Sequence, residues 1–74
     1  MFVQETNYCR IRLRLLELKD VTTTSEMAKA LKISRYTTRR ILDQLVDEGI
    51  AYRQFAKGTY NYIHRLNVPK EARS

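Results

Sequence analysis

The sequence predicts a small α+β domain that consists of three helices followed by a β-hairpin. Apolar residues recur at helical spacing along residues 8–19, and helix-start signals follow at Thr23 and Ser34. Aromatic and β-branched residues then stand on both sides of a Lys57-Gly58 turn, which is the pattern of a hairpin. A chain of 74 residues has room for one such domain with a thin core, and we assign it to residues 1–66.

The first helix is predicted over residues 8–19. Tyr8, Ile11, Leu15 and Leu18 lie on one helical stripe, and the segment is rich in the helix-favouring residues Leu, Arg, Glu and Lys. A strand is the competing interpretation, because apolar residues and arginines also alternate along part of the segment. The helix is preferred because the segment contains neither Gly nor Pro. The residues before it show little pattern and are expected to fray.

Three further residues of this helix, Cys9, Leu13 and Leu16, form a second apolar surface beside the stripe. A small domain has difficulty covering two apolar faces of one helix. Two explanations remain open. The surface mediates a homodimer, or it packs against the hairpin and the C-terminal segment.

The second helix is predicted to follow a short β-prone segment at residues 21–23, itself a possible third strand. The sequence T-T-S-E at residues 23–26 matches the capping box that starts a helix. Met27, Ala28 and Leu31 form the predicted buried side of this helix. The small side chain of Ala28 allows the next helix to approach closely.

The third helix is predicted over residues 34–48, after a tight turn at residues 32–33. Ser34 is a favourable N-cap, and Gly49 supplies the left-handed C-cap that ends the helix. The inward face has the spacing i, i+3, i+4, i+7 and consists of Thr38, Ile41, Leu42 and Leu45. The first half of the helix also has a basic, hydroxyl-rich surface, formed by Arg35, Tyr36, Thr37, Arg39 and Arg40.

The hairpin is predicted over residues 50–66. The side chains expected to point inward on the usual alternation are Tyr62, His64 and Leu66. A register shifted by one residue would place Ile63 and Arg65 inward instead, and this alternative stays open. Residues 67–74 contain a proline and several charges, and they are predicted to be a flexible tail.

The formal net charge is +6, with 14 Lys and Arg residues against 8 Asp and Glu residues. Such a balance favours a polyanionic partner, either nucleic acid or an acidic membrane surface. Cys9 and His64 are the sole residues of their kinds, which excludes an internal disulfide and leaves no usual cluster of metal ligands. We expect packing roles for both residues, no cofactor and no small-molecule ligand.

Membrane insertion and catalysis find no support in the sequence. No apolar segment approaches the ~20 residues that span a membrane, and no signal-peptide pattern begins the chain, so a cytoplasmic location is expected. The chain also lacks a Ser/His/Asp grouping and a glycine-rich phosphate loop, since it has only 2 glycines. An enzyme is therefore not expected.

The order of elements, together with a set of matching residues, resembles the winged helix-turn-helix family of DNA-binding domains. The matching residues are Glu26-Met27-Ala28, Leu31, Ile33-Ser34, Thr37-Thr38-Arg39-Arg40, Leu42, Leu45 and Gly49-Ile50. The resemblance covers nearly the whole chain and is greatest to small stand-alone microbial or phage-type transcriptional regulators. It implies an α+β winged helix-turn-helix with three helices and a small antiparallel β-hairpin wing.

In that family the second helix of the motif reads the major groove, and here this is the helix of residues 34–48. The implied DNA-binding residues are Thr24, Ser25, Ser34, Arg35, Tyr36, Thr37, Arg39, Arg40, Arg53, Lys57 and Thr59. Among them, Tyr36 and Arg40 are the expected base readers. The wing of residues 50–66 is expected on the adjacent backbone or minor groove.

Asp43 follows on the reading face one turn later and has two open interpretations. It accepts a hydrogen bond from cytosine, or it repels misplaced phosphates. The expected function is a sequence-specific double-stranded DNA-binding transcriptional regulator, a repressor or activator on the nucleoid that acts as a homodimer or a cooperative array. The alternatives are a protein-interaction adaptor with the same fold and an architectural or recombination accessory DNA-binding protein.

Overall fold

The computed structural model describes residues 3–68 of the chain, which form three helices, a three-stranded antiparallel sheet and a short 3-10 turn. The helices are α1 (Val3–Leu18), α2 (Thr24–Leu31) and α3 (Arg35–Asp47). The strands are β1 (Thr22–Thr23), β2 (Ala51–Ala56) and β3 (Thr59–His64), in the sheet order β1-β3-β2. This is an α+β fold with the layout of a winged helix, as the sequence predicts. Among the described helices, none is long and apolar enough to span a membrane.

Helix α1 begins at Val3, five residues earlier than predicted. Neither Gly nor Pro interrupts this stretch, and the helix therefore extends beyond its buried stripe. Ile11 and Leu15 are fully buried, which confirms the helical interpretation of this segment. The first two residues of the chain lie outside the described residues.

The core lies where the three helices meet the inner face of the sheet. Its members are Ile11, Leu15, Met27, Ile41, Leu42, Leu45, Ala51 and Tyr62. The predicted inward face of α3 is confirmed, because Thr38 and its three apolar neighbours on that face are buried. Burying each large apolar side chain contributes roughly 1.5–3 kcal/mol, so this shared core holds α3 in one orientation relative to the sheet.

Hydrogen bonds from nearby side chains determine where α2 and α3 start. Thr23 Oγ1 accepts from the Glu26 backbone N–H at 3.2 Å, and the Glu26 carboxylate accepts from the Thr23 N–H at 3.1 Å, which confirms the capping box. Ser34 Oγ accepts from the Thr37 N–H at 3.1 Å and confirms the predicted N-cap. Between the helices, Lys32 adopts a left-handed conformation with a φ of 56°, which completes the tight turn.

Replacing Thr23 with alanine is expected to lower the free energy of unfolding by about 1 kcal/mol, because the Glu26 N–H loses its acceptor. Urea unfolding followed by circular dichroism measures the change. Thr23→Ser keeps the hydroxyl and is the matched control, so its stability should stay close to that of the wild type. Equal losses in the two variants would contradict a capping role.

The predicted Lys57-Gly58 turn joins β2 to β3. Both turn residues have positive φ, 53° and 75°, as a two-residue type I′ turn requires. In the register of the hairpin, Phe55 lies opposite Tyr60. The predicted third strand is confirmed as β1, whose Thr22 lies opposite Tyr62.

The inward alternation on β3 holds for Tyr62 and His64, which are buried, but it fails at Leu66, which is 66% exposed. The strand ends at His64, and a 3-10 turn over Arg65–Asn67 redirects the chain. His64 Nδ1 accepts from the Leu66 N–H at 3.1 Å and caps this turn. Burial, together with the charge of Arg12, lowers the pKa of His64, as expected for a packed sheet residue.

Asn67 and Val68, which the sequence assigned to the tail, pack against the domain. The Asn67 side-chain amide donates to the Leu16 carbonyl of α1 at 2.8 Å, and Val68 is buried. The C-terminal segment therefore contacts α1 beside the second apolar surface, while Cys9 and Leu13 of that surface are exposed. The rest of the predicted tail lies outside the described residues.

Candidate nucleic-acid interface

The first two turns of α3 carry an exposed basic surface because the opposite side of the helix is buried in the core. Arg35, Arg39 and Arg40 are all exposed, and Tyr36 is 72% exposed. The Arg40 guanidinium lies 5.6 Å from the centre of the Tyr36 ring, within the range of a cation–π contact. The two predicted base readers are therefore neighbours on the surface.

An open groove of about 770 Å³ lies between the start of α2, the start of α3 and the distal end of the hairpin. The predicted DNA-binding residues that line it are Thr24, Ser25, Arg35, Tyr36, Arg39 and Thr59. Phe55 and Tyr60, which sequence reasoning did not place in the interface, complete the wall on the hairpin side. A second groove of about 390 Å³, on the α1 side of α3, contains Thr37 and Arg40. The structure thus divides the predicted set between two sides of α3.

Ser34 lies outside both grooves and has a structural role. Its hydroxyl accepts from the Thr37 N–H and lies 2.9 Å from Thr37 Oγ1, so it caps the start of α3. Lys57 is exposed at the tip of the hairpin, where its ammonium group is accessible to a phosphate.

Asp43 connects α3 to both strands of the hairpin. Its Oδ1 accepts from Arg53 Nη1 at 2.9 Å and from the Tyr62 hydroxyl at 2.8 Å. Its Oδ2 lies 3.8 Å from Arg39 Nε. The Asp43 carboxylate therefore binds side chains of the protein itself, although its side chain remains 34% exposed and lines the second groove. Its two sequence-based interpretations, acceptance from cytosine and repulsion of phosphates, stay predictions. Arg53 and Tyr62 are 10 and 19 positions away in the sequence, so no local pattern could indicate the contacts.

The Asp43 contacts also change the interpretation of Arg53, which the sequence placed among the DNA-binding residues. The hydrogen bond to Asp43 raises the pKa of the Arg53 guanidinium. Burial, followed by the hydrogen bond to Asp43, raises the pKa of Tyr62, so its hydroxyl remains protonated and continues to donate at neutral pH. In this structure Arg53 joins the hairpin to α3 and does not line the groove.

Two aromatic rings and two arginines form a cluster where the hairpin meets the groove. The Phe55 and Tyr60 rings meet edge to face, with their centres 5.0 Å apart. The Arg53 and Arg39 guanidinium groups lie 4.9 Å and 5.6 Å from the centre of the Tyr60 ring. The signal available in the sequence was the alternation of β2, which places Arg53 and Phe55 on the same face of the strand.

The far end of α3 is attached to α1. The Tyr8 hydroxyl donates a hydrogen bond to the Glu48 carboxylate, which also accepts from the Gln44 side chain at 3.2 Å. These hydrogen bonds lower the pKa of Glu48, and the hydrogen bond between Tyr8 and Glu48 raises the pKa of Tyr8. Helix α3 is therefore attached to the hairpin near its middle and to α1 at its end, with the basic surface on its exposed side.

Within residues 3–68, no group of three or more His, Cys, Asp or Glu side chains is arranged to hold a metal ion. Comparisons of the chain with protein-family models, with curated proteins and with solved structures find no match. The functional conclusion consequently depends on the fold and on the chemistry of the surface formed by α2, α3 and the hairpin.

Proposed function

We propose that this protein is a sequence-specific double-stranded DNA-binding transcriptional regulator. Helix α3 enters the major groove, and the hairpin wing lies on the adjacent backbone or minor groove. The observation that supports this most is the exposed surface of Arg35, Tyr36, Arg39 and Arg40 on a helix whose other face is buried in the core. A helix fixed in this way positions its outward side chains before the ligand arrives.

The dimensions and the charge of α3 suit a duplex. An α-helix with its side chains is roughly 10–12 Å wide, and the major groove of B-DNA is about 12 Å wide. The net charge of +6 and the exposed arginines within two turns of α3 favour a polyanion. Solubility alone does not require that concentration of positive charge on one face of one helix.

Arg40 is the strongest candidate for reading a base, because it lies beside the Tyr36 ring on the exposed side of α3 and its guanidinium suits the bidentate contact to guanine O6 and N7. Arg35 and Arg39 line the groove beside the wing and serve the phosphates of the strand that passes there. The hydroxyl groups of Thr24 and Ser25 add donors at the start of α2, where free backbone N–H groups also favour an anion.

Selection of bound sites from random duplex DNA, followed by filter binding at ~0.1 M salt, tests the proposal directly. A defined consensus bound far more tightly than random duplex is the expected result. No detectable duplex binding at micromolar protein would contradict the proposal. The symmetry of the selected sites also reports whether one or two copies bind.

The salt dependence of binding is expected to show a slope of log K against log salt of about −4 to −6, from some five to seven phosphate contacts at ~0.9 each. Fluorescence anisotropy with the selected duplex, over about 50 to 200 mM salt, measures the slope. A slope shallower than about −2 would contradict an interface that contacts the backbone on this scale.

A second copy of the chain would supply the discrimination that one small domain lacks, since useful specificity normally needs two half-sites. The observation that favours self-association is on α1, where Leu13 is 61% exposed and Cys9 is exposed on the same helix. The same surface suits a protein-interaction adaptor, which is the second candidate function. Sedimentation equilibrium without DNA, compared with the symmetry of the selected sites, separates a homodimer from a monomer that uses this surface for another protein.

A further inference from the structure

We propose that the groove between α3 and the wing also binds a nucleobase that is not stacked in a duplex, with the Phe55 ring as the surface on which the base stacks. The ligand is a single-stranded nucleic-acid segment or an unpaired base within a duplex. This activity goes beyond the reading of an intact duplex, although it uses the same groove.

Phe55 is a large apolar side chain that the core does not use. It is 64% exposed, whereas Tyr62 on the neighbouring strand is fully buried. The ring is directed to the groove, because Phe55 lies opposite Tyr60 in the hairpin and both residues line the groove wall. An exposed aromatic ring beside a basic surface indicates a ligand that has both a negative charge and a π face.

The Phe55 ring is held in place and still retains a free face. Its contact with Tyr60 has an interplanar angle of 65°, and in such an edge-to-face pair each ring keeps at least one face uncovered. The Tyr60 ring is approached by the Arg53 and Arg39 guanidinium groups at 4.9 Å and 5.6 Å. The face available for stacking therefore belongs to Phe55.

An intact duplex offers this ring no stacking partner, since neighbouring bases cover both faces of each base and only the base edges are accessible from the grooves. An unstacked base presents its faces, and stacking on an aromatic side chain is how proteins hold such bases with little regard to sequence. Arg35 and Arg39 line the same groove and supply the charge that the flanking phosphates need. The groove volume of about 770 Å³ lies within the roughly 300–1,000 Å³ of small-ligand sites.

Fluorescence anisotropy with three labelled probes tests the proposal. The probes are an oligothymidine strand, a fully paired duplex, and the same duplex with one bulged base. Phe55→Ala is expected to weaken binding of the strand, of the bulged duplex or of both by about fivefold or more, and to leave the paired duplex nearly unchanged. The probe that responds identifies the source of the base.

Two further variants make the test specific to stacking. Phe55→Leu keeps an apolar side chain without a π face and should lose as much affinity as Phe55→Ala. Tyr52→Ala is the matched control, because Tyr52 is a partly exposed aromatic residue on the opposite face of the same strand, and its removal should change no affinity. Circular dichroism confirms that each variant is folded.

Three outcomes with the Phe55 variants would overturn the stacking proposal. They are wild-type affinity of Phe55→Ala for both unpaired probes, wild-type affinity of Phe55→Leu for them, and an equal loss on the paired duplex. Absence of any binding to the strand and the bulged base by the wild type would overturn it as well. Failure of the proposed regulatory function can be distinguished from failure of the stacking proposal. If selection yields no bound duplex while binding of the oligothymidine strand depends on Phe55, the proposed regulatory function is wrong and the stacking proposal is supported.

Discussion

An Asp43→Ala variant is expected to have a free energy of unfolding about 1–3 kcal/mol below that of the wild-type protein. The reason is the Tyr62 hydroxyl, which donates to Asp43 Oδ1 at 2.8 Å from a fully buried residue and would lose its acceptor. Urea unfolding measures the difference. Adding Tyr62→Phe to the variant removes the buried hydroxyl that has lost its acceptor, so the double variant should recover part of the lost free energy of unfolding. Tyr62→Phe alone, in the wild-type protein, gives the reference loss of stability. If the double variant is less stable than Asp43→Ala by that same amount, the two side chains are not coupled and the prediction is wrong.

The same Asp43→Ala variant is expected to lose DNA specificity. Asp43 joins Arg53 of the hairpin to α3, and its removal takes away this attachment between the two elements. The formal net charge also rises from +6 to +7, which strengthens non-specific attraction to duplex DNA. Affinity for the selected site should therefore fall while affinity for random duplex rises. Asp47→Ala makes the same change in charge at an exposed position on α3, and equal behaviour of the two variants would contradict a positioning role for Asp43.

An Arg40→Ala variant is expected to bind the selected site about 5- to 150-fold more weakly, which corresponds to the ~1–3 kcal/mol of a bidentate contact to guanine. The affinity of the variant for random duplex should fall less, because random duplex offers no matching guanine. Competition binding with the two DNAs measures both effects. Arg35→Ala removes the same charge from the same helix. It should lower the affinity for the selected site and for random duplex about equally, as expected when a phosphate contact is lost. If Arg40→Ala loses equal affinity for the selected site and for random duplex, Arg40 does not read a base.

The signals that predicted the fold join residues close together in the sequence. The capping hydrogen bonds of Thr23 with Glu26, and of Ser34 with Thr37, each span three positions. Gly49 has a positive φ directly after the C-cap residue Glu48, as a left-handed helix end requires. Such signals are visible in a sequence because both partners belong to the same turn of chain.

The predictions that were wrong used a local pattern beyond the element to which it applied. The alternation of β3, continued past His64, predicts an inward Leu66, but the strand ends at His64 and a 3-10 turn begins there. The apolar stripe predicts a start for α1 that is too late, because only the stripe, and not the whole helix, is visible as a pattern. Periodicity reports which residues face the core, and it does not mark the residue at which a helix begins.

By itself, the sequence determined the helices, the turns, the inward face of α3 and its basic outward surface. Only the tertiary structure decided that the Asp43 carboxylate is bound by Arg53 and Tyr62. It also decided that Phe55 lines the same groove as Arg35 and Arg39 of α3, and that the Asn67 side chain donates a hydrogen bond to α1. The hydrogen bonds among these contacts join residues 10 to 51 positions apart. Local patterns do not encode the directions from which separate elements approach one another, because those directions are set by packing around the shared core.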